Sequence, residues 1–204
     1  MAVTPQTNTT LADIARALME RDDIVICGHV SPDGDCLGSQ LALMNALRAK
    51  GKRVACVLAD AEYSVDEAFS FLPGFDELLP AAAYDGPVGV FVGVDVPTVE
   101  RIGEGASLHA RAEFRITIDH HAVDTTMADL VYVDPDAAAA ALLVWEVAKH
   151  LMGEPSAAVA QCAYTGLASD TGRFQYQNTD AACLQEAAGM VAAGADPAFV
   201  AREV

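Results

Sequence analysis

Ile24-Val-Ile-Cys-Gly-His-Val-Ser-Pro-Asp-Gly-Asp35 is the stretch whose reading decides the fold class. Its first four residues are short, continuous, apolar and largely β-branched, the pattern of a strand buried on both faces. A polar loop follows, and then residues 36–50 read as a helix that Gly51 stops. Working outward, residues 53–58 read as a second strand, Pro87 opens a third over 88–94, and 114–118 and 130–133 read as a fourth and fifth. Thr10 is placed to cap a helix over 11–21 whose apolar residues Leu11, Ile14, Ala15 and Leu18 recur at helical spacing. After Pro135 the pattern turns helical: 137–152 closed by Gly153, a second helix from Pro155 to about 168, and a third capped by Thr179 or Asp180 to about 193. Alternating strands and helices imply an α/β fold with a parallel, doubly wound sheet and helices on both faces. Its body is a domain over residues 10–195. The polar residues 1–9 are expected to be a disordered N-terminus.

Composition narrows the function classes. The chain has 204 residues, 52% of them hydrophobic and 20% charged, enough to bury a core and too apolar for disorder. The net charge of −17 opposes binding to a duplex nucleic-acid backbone, while leaving room for a small anion held locally by metals. The cysteines, Cys27, Cys36, Cys56, Cys162 and Cys183, are scattered singly, which disfavours both a zinc ribbon and a secreted disulfide scaffold. No basic N-region precedes an apolar stretch, and no apolar run reaches membrane-spanning length. A cytoplasmic protein without membrane contact is expected, its oligomeric state open between monomer and homodimer.

Ligands of parallel sheets bind beyond the carboxyl ends of the strands. After 24–27 come His29, Asp33 and Asp35; after 88–94 comes Asp95; after 114–118 come Asp119, His120 and His121; and Ser169-Asp170-Thr-Gly172 ends a helix. Taken singly, each has a mundane reading: a turn, a helix cap such as Asp95 before Val-Pro-Thr, a surface histidine pair. Those readings would all have to hold at four element ends at once. Brought together bare, Asp33, Asp35, Asp95 and Asp170 would repel one another, and cations resolve that repulsion. Carboxylates with a few imidazoles and no thiolates suit Mn²⁺, with Mg²⁺ or Co²⁺ as alternatives. Four carboxylates exceed the need of one metal and match two that share an aspartate.

In this combination the residues resemble the DHH phosphoesterases, a RecJ-like family named for the Asp-His-His that stands here at 119–121. All four motifs occur in order: His29-Val-Ser-Pro-Asp-Gly-Asp35, Asp95, Ile118-Asp-His-His121 and Ser169-Asp-Thr-Gly172. The segment Phe174-Gln-Tyr176-Gln-Asn178-Thr179 is similar to the family as well. The resemblance covers about residues 10–195 and is strongest to the nanoRNase/pAp-phosphatase branch, as its N-terminal domain. It implies two Mn²⁺ per chain, one held by His29, Asp33 and Asp95, the other by Asp35, Asp95, His120 and Asp170. Asp119 would orient a histidine, and His121 would meet the scissile phosphate. The implied reaction is hydrolysis of short single-stranded oligoribonucleotides or 3′-phosphoadenosine 5′-phosphate (pAp) by two-metal activation of a bridging water. Pyrophosphate, polyphosphate and a linear dinucleotide are alternative substrates, and a metal- or nucleotide-binding module with little turnover is an alternative of another kind.

Arg173, directly after Asp170-Thr-Gly, is placed to reach a substrate phosphate. Three departures from the family stand out. The smaller C-terminal domain with its Gly-Gly-Gly-His-type loop has no counterpart, and residues 196–204 read as the start of a connection to it. Ala138 to Leu142 replace a more polar helix start, removing a support near the site. Cys36 stands where many relatives have alanine, without the constellation that would make it a nucleophile.

Overall fold

The computed structural model describes residues 6–60, 67–123 and 126–204. The apolar runs form a six-stranded sheet: β1 (Ile24–Cys27), β2 (Val54–Leu58), β3 (Leu79–Pro80), β4 (Val90–Val94), β5 (Phe114–Asp119) and β6 (Leu130–Val133). The order is β3-β2-β1-β4-β5-β6 and every pairing is parallel. The two-residue β3 has no sequence pattern long enough to announce it, and its Pro80 is tolerated at the sheet edge.

Each buried run divides its side chains between the faces by the two-residue period of a strand. In β1, Ile24 and Ile26 enter a large core with α1 (Leu11–Met19), α2 (Gly34–Ala49), α4 (Ala140–Met152), α5 (Ala157–Asp170) and α6 (Ala181–Ala192). Val25 and Cys27 enter a smaller core on the other face, with Ile102 and Leu108 from a 3₁₀ segment (Val99–Gly105) and α3 (Ala106–Arg111). That crossover between β4 and β5 escaped the sequence pattern because it is short, charged and interrupted by Gly103 and Gly105.

Thr7, Asn8 and residues 196–204 are more ordered than their composition suggests. Residues 1–5 of the expected disordered terminus lie outside the described residues. Thr7 and Asn8 instead bond the free edge of β6: the Asn8 amide to Val131 O at 3.0 Å, the Val131 amide to Asn8 Oδ1 at 2.9 Å, and the Val133 amide to Thr7 Oγ1 at 3.0 Å. Covering an edge strand satisfies its ladder groups. Residues 196–204 form α7 (Pro197–Glu203) rather than a bare connection, capped by Asp196, with Val200 in the large core.

One packing detail positions the site. Gly34 and Gly38, one turn apart on α2, face α5. A Cβ at Gly34 would lie 2.5 Å from Ser169 Oγ, and one at Gly38 would lie 2.6 Å from Cys162 O and 2.8 Å from Gly166 N. Glycine thus lets the two backbones approach to a distance no side chain allows, bringing Asp35 on α2 beside the end of α5, where Asp170 sits.

Candidate metal centre

In this strand order the chain turns in opposite directions from β1 and β4, and the crevice beyond their carboxyl ends is the usual ligand site. The structure gathers His29, Asp33, Asp35, Asp95, Asp119, His120, His121 and Asp170 there.

Asp33 is the N-cap of α2, so the helix begins two residues earlier than its apolar pattern suggests. Its Oδ1 accepts from the Asp35 and Cys36 amides, each at 3.0 Å. The capping and ligand readings therefore meet in one residue. Asp95 is no cap; it follows β4 in the left-handed region, φ 54°, with its amide bonded to Ile118 O at 3.0 Å. A non-glycine residue held there costs energy, tolerable for aspartate, and such positions concentrate at functional sites.

Two half-sites share Asp95. His29 Nε2 lies 3.4 Å from Asp95 Oδ2 and 3.8 Å from Asp33 Oδ1. His120 Nε2 lies 3.4 Å from Asp95 Oδ1, 3.7 Å from Asp35 Oδ2 and 3.8 Å from Asp170 Oδ2. His29 Nδ1 donates to Val30 O at 2.8 Å and His120 Nδ1 to Ala137 O at 3.2 Å. A carbonyl can only accept, so in the neutral ring the proton sits on Nδ1 and the Nε2 lone pair faces the carboxylates, as a metal ligand requires. His121 differs. Its Nδ1 donates to Asp119 Oδ1 at 2.8 Å and its side chain is 41% exposed against 16% for His120, so it is the more open of the two imidazoles. Asp119 Oδ1 also accepts from the His120 amide at 2.9 Å.

The charges are in conflict without a cation. Burial pushes the Asp35 carboxyl well above the usual range, and the neighbouring Asp95 adds to it. Asp170 is raised by burial as well. Burial opposes charge on His120, yet Asp95, Asp35 and Asp170 around it prevail and push its pKa up to about 10. Burial works against the Asp95 carboxylate too, but His120 and His29 outweigh it and hold the group below its ordinary value. Asp95 Oδ1 and Asp119 Oδ2 are buried without a hydrogen-bond partner, a condition costing about 1–3 kcal/mol for each such group. Oxygen and imidazole donors, converging and underbonded, fit hard or borderline divalent cations. The Cys36 sulfur lies within reach of His29 and Asp95, but burial pushes its thiol far up and Gln40 Nε2 donates to it at 3.3 Å, so it remains a packed thiol. All five cysteines are free and buried.

Two placements differ from the sequence reading. Arg173 is not brought into the cluster; its Nη2 donates to Val204 O at 2.8 Å, which points the guanidinium toward the end of α7. The alanines that open α4 remove no support: the Ala140 and Ala141 amides themselves hold Asp35, at 2.7 Å to Oδ2 and 2.9 Å to Oδ1. Away from the cluster, His109 has its Nε2 2.6 Å from Met127 O and packs edge-on to Phe91. The sequence reading also missed Asp134, fully buried after β6, whose Oδ1 accepts from the Asp136 amide at 3.1 Å. Its position directly after a strand, like that of Asp95, was the available signal. Ser39, near the start of α2, donates its Oγ to Asp35 Oδ1 at 3.2 Å and so supports that carboxylate.

Fold and site together define an α/β protein with a carboxylate–imidazole cation site at the switch point of a parallel sheet. The chain belongs to the DHH family, whose N-terminal domain matches residues 23–167. It is similar to the bifunctional oligoribonuclease and PAP phosphatase NrnA of Thermus thermophilus, 32% identical over 184 residues, covering 90% of this chain and 53% of that protein. The protein of the same name from Bacillus subtilis is 28% identical over 191 residues, covering 88% and 56%. Among solved structures, an exopolyphosphatase-related protein from Bacteroides fragilis superposes with a TM-score of 0.88 at 25% identity, covering 98% of this chain and 62% of that one. The chain therefore spans about half the length of the curated relatives it matches. Among the described residues, no helix is long and apolar enough to cross a membrane.

Proposed function

We propose that this chain carries the catalytic site of a manganese-dependent phosphoesterase acting on short oligoribonucleotides and on pAp, in the cytoplasm. The observation that carries the reading is Asp95, a buried carboxylate whose two oxygens face two different histidine–carboxylate groups, one oxygen without a hydrogen-bond partner. The names of the NrnA relatives support the substrate class. The donor set, four carboxylates with imidazoles and no thiolate, supports Mn²⁺ over Zn²⁺. The net charge of −17 disfavours a long duplex and leaves small phosphate esters and short single strands.

When bound, two such cations neutralise the carboxylates, polarise the phosphoryl group and supply the attacking water. Asp33, Asp35, Asp170 and the Nε2 atoms of His29 and His120 would hold them, with Asp95 placed to serve both. Asp119 fixes the His121 ring through Nδ1. That hydrogen bond, more than burial opposes it, raises the His121 pKa. A protonated Nε2 on the open side is then a donor for the phosphate and for the oxygen that leaves with the nucleoside.

The test is a panel of pAp, di- to pentanucleotides, pyrophosphate, polyphosphate and linear pApA, assayed with Mn²⁺ and with a chelator. Mn²⁺-dependent release of phosphate from pAp or of mononucleotides from the short RNAs is the expected result. Turnover of pyrophosphate alone would overturn the substrate assignment, and turnover that a chelator leaves intact would overturn the metal dependence.

A further inference from the structure

The segment Ala137–Ala141 has no side chain that could do chemistry, yet its backbone reaches the non-bridging groups of one half-site. The Ala137 carbonyl accepts from His120 Nδ1 at 3.2 Å. The Ala140 and Ala141 amides donate to the two oxygens of Asp35 at 2.7 and 2.9 Å. The Ala138 carbonyl accepts at 3.0 Å from Asn178 Nδ2, and the same nitrogen donates at 3.1 Å to the backbone carbonyl of Asp170. His120, Asp35 and Asp170 are thus joined through five consecutive residues and one amide side chain. The other half-site has no bond to this segment: His29 is oriented by Val30 O, and Asp33 by the Asp35 and Cys36 amides at the start of α2.

The arrangement also accounts for the sequence. Ala139 has no side-chain capping bond, and the first amides of α4 take the Asp35 carboxylate of α2 in place of a local cap. Alanine suffices because the backbone carries every contact, and Ala138 to Ala141 are all buried. The turn that delivers the segment is closed by Asp134, which accepts the Ala137 amide on its carbonyl at 3.0 Å.

We propose that the backbone of Ala137–Ala141, tied to Asp170 by Asn178, is a main-chain clamp that sets the cation affinity of the half-site formed by Asp35, His120 and Asp170. Asn178 and Ala140 are positioning residues; they act through the ligands. The proposal rests on the two-cation reading of the site.

Two variants test it by calorimetric Mn²⁺ titration of the metal-free chain, with thermal unfolding measured alongside. Ala140→Pro removes the amide that holds Asp35 Oδ2 and sets a ring carbon in its place. Proline suits the first position of a helix, and the extended Ala139 (φ −164°, ψ 152°) is the conformation that precedes one. Asn178→Ala removes the tie to Asp170 from an exposed position, so its fold is not at risk. Removing a partner that orients a ligand typically weakens metal binding ~10–100-fold. The expected result is two uptake events in the unaltered chain, one of them weakened ~10-fold or more in each variant, and the other unchanged. A general loosening would lower both affinities together, and that outcome, or two unchanged affinities in Asn178→Ala, overturns the clamp. If Ala140→Pro does not fold, Asn178→Ala decides alone. A single uptake event in the unaltered chain would overturn the two-cation reading itself, and the clamp with it, a failure distinct from two events that the variants do not separate.

Discussion

Gly38→Ala and Gly189→Ala are the same chemical change at the middle of a helix, and the structure demands opposite outcomes. At Gly189, on the exposed side of α6, nothing lies within 4 Å of a Cβ, so the substitution adds only helix propensity, about 0.8–1 kcal/mol. For a chain of this length 1 kcal/mol corresponds to roughly 2–4 °C, and a rise of that size is expected. At Gly38 the Cβ would stand 2.6 Å from Cys162 O and 2.8 Å from Gly166 N, both backbone atoms that cannot swing aside. Relief requires α2 and α5 to part by about 0.8 Å, to the ~3.4 Å at which carbon and oxygen ordinarily touch. Overpacking of this kind costs about 1–3 kcal/mol, which against the propensity gain leaves a net loss of up to about 2 kcal/mol, so no rise and a fall of up to roughly 8 °C is expected. Because Asp35 rides on α2 and Asp170 on α5, the separation also pulls apart two carboxylates of one half-site, and Mn²⁺ affinity should fall with stability. The assay is thermal unfolding of both variants without metal, followed by Mn²⁺ titration. Equal rises in melting temperature, with metal uptake unchanged in Gly38→Ala, would refute the close approach of the two helices as the feature that assembles the site.

Asp95→Asn keeps the shape of a residue that tolerates a φ of 54° and removes the charge between the half-sites; calorimetry should show both cations weakened, where Asp170→Asn weakens one, and two tight uptake events in Asp95→Asn would rule out a shared ligand. His121→Ala should retain near-normal Mn²⁺ affinity and lose ~10²–10⁴-fold in kcat, since a donor to the leaving oxygen acts mainly in the transition state. Asp119→Asn should move in the same direction by a smaller factor, and recovery of either variant's rate with excess Mn²⁺ would mean that its residue serves the metal instead. Saturating Mn²⁺ at about 100 times its dissociation constant should stabilise the fold by ~2.7 kcal/mol per site, a rise of roughly 5–11 °C that a chelator reverses; an unchanged melting temperature would count against a metal centre.

Much was legible in the sequence because its signals are local. The runs at 24–27 and 90–94 are apolar on both faces, as a covered parallel sheet requires, 114–118 carries its apolar residues Phe114, Ile116 and Ile118 on one face, and the polar residues that follow these runs lie at the carboxyl edge of the sheet. That logic reaches His29, Asp33, Asp35, Asp95 and the Asp119–His121 motif from residue types and positions alone. It does not reach how each group is held, because a backbone amide or carbonyl looks the same at every position of a sequence. That Asp35 is bound by the Ala140 and Ala141 amides, 105 residues away along the chain, exists only once α4 is docked against α2. The same is true of the tie from Asn178 to Ala138 and Asp170. Arg173 shows the converse: its place in the sequence suggests a substrate phosphate, and the fold turns it to the carbonyl of Val204. Residue type and strand order, both local, determine which chemistry can gather at the switch point. Helix packing across Gly34, Gly38 and Gly166 decides which side chains meet there and at what distance, because contacts between distant segments depend on backbone approach that no local pattern encodes.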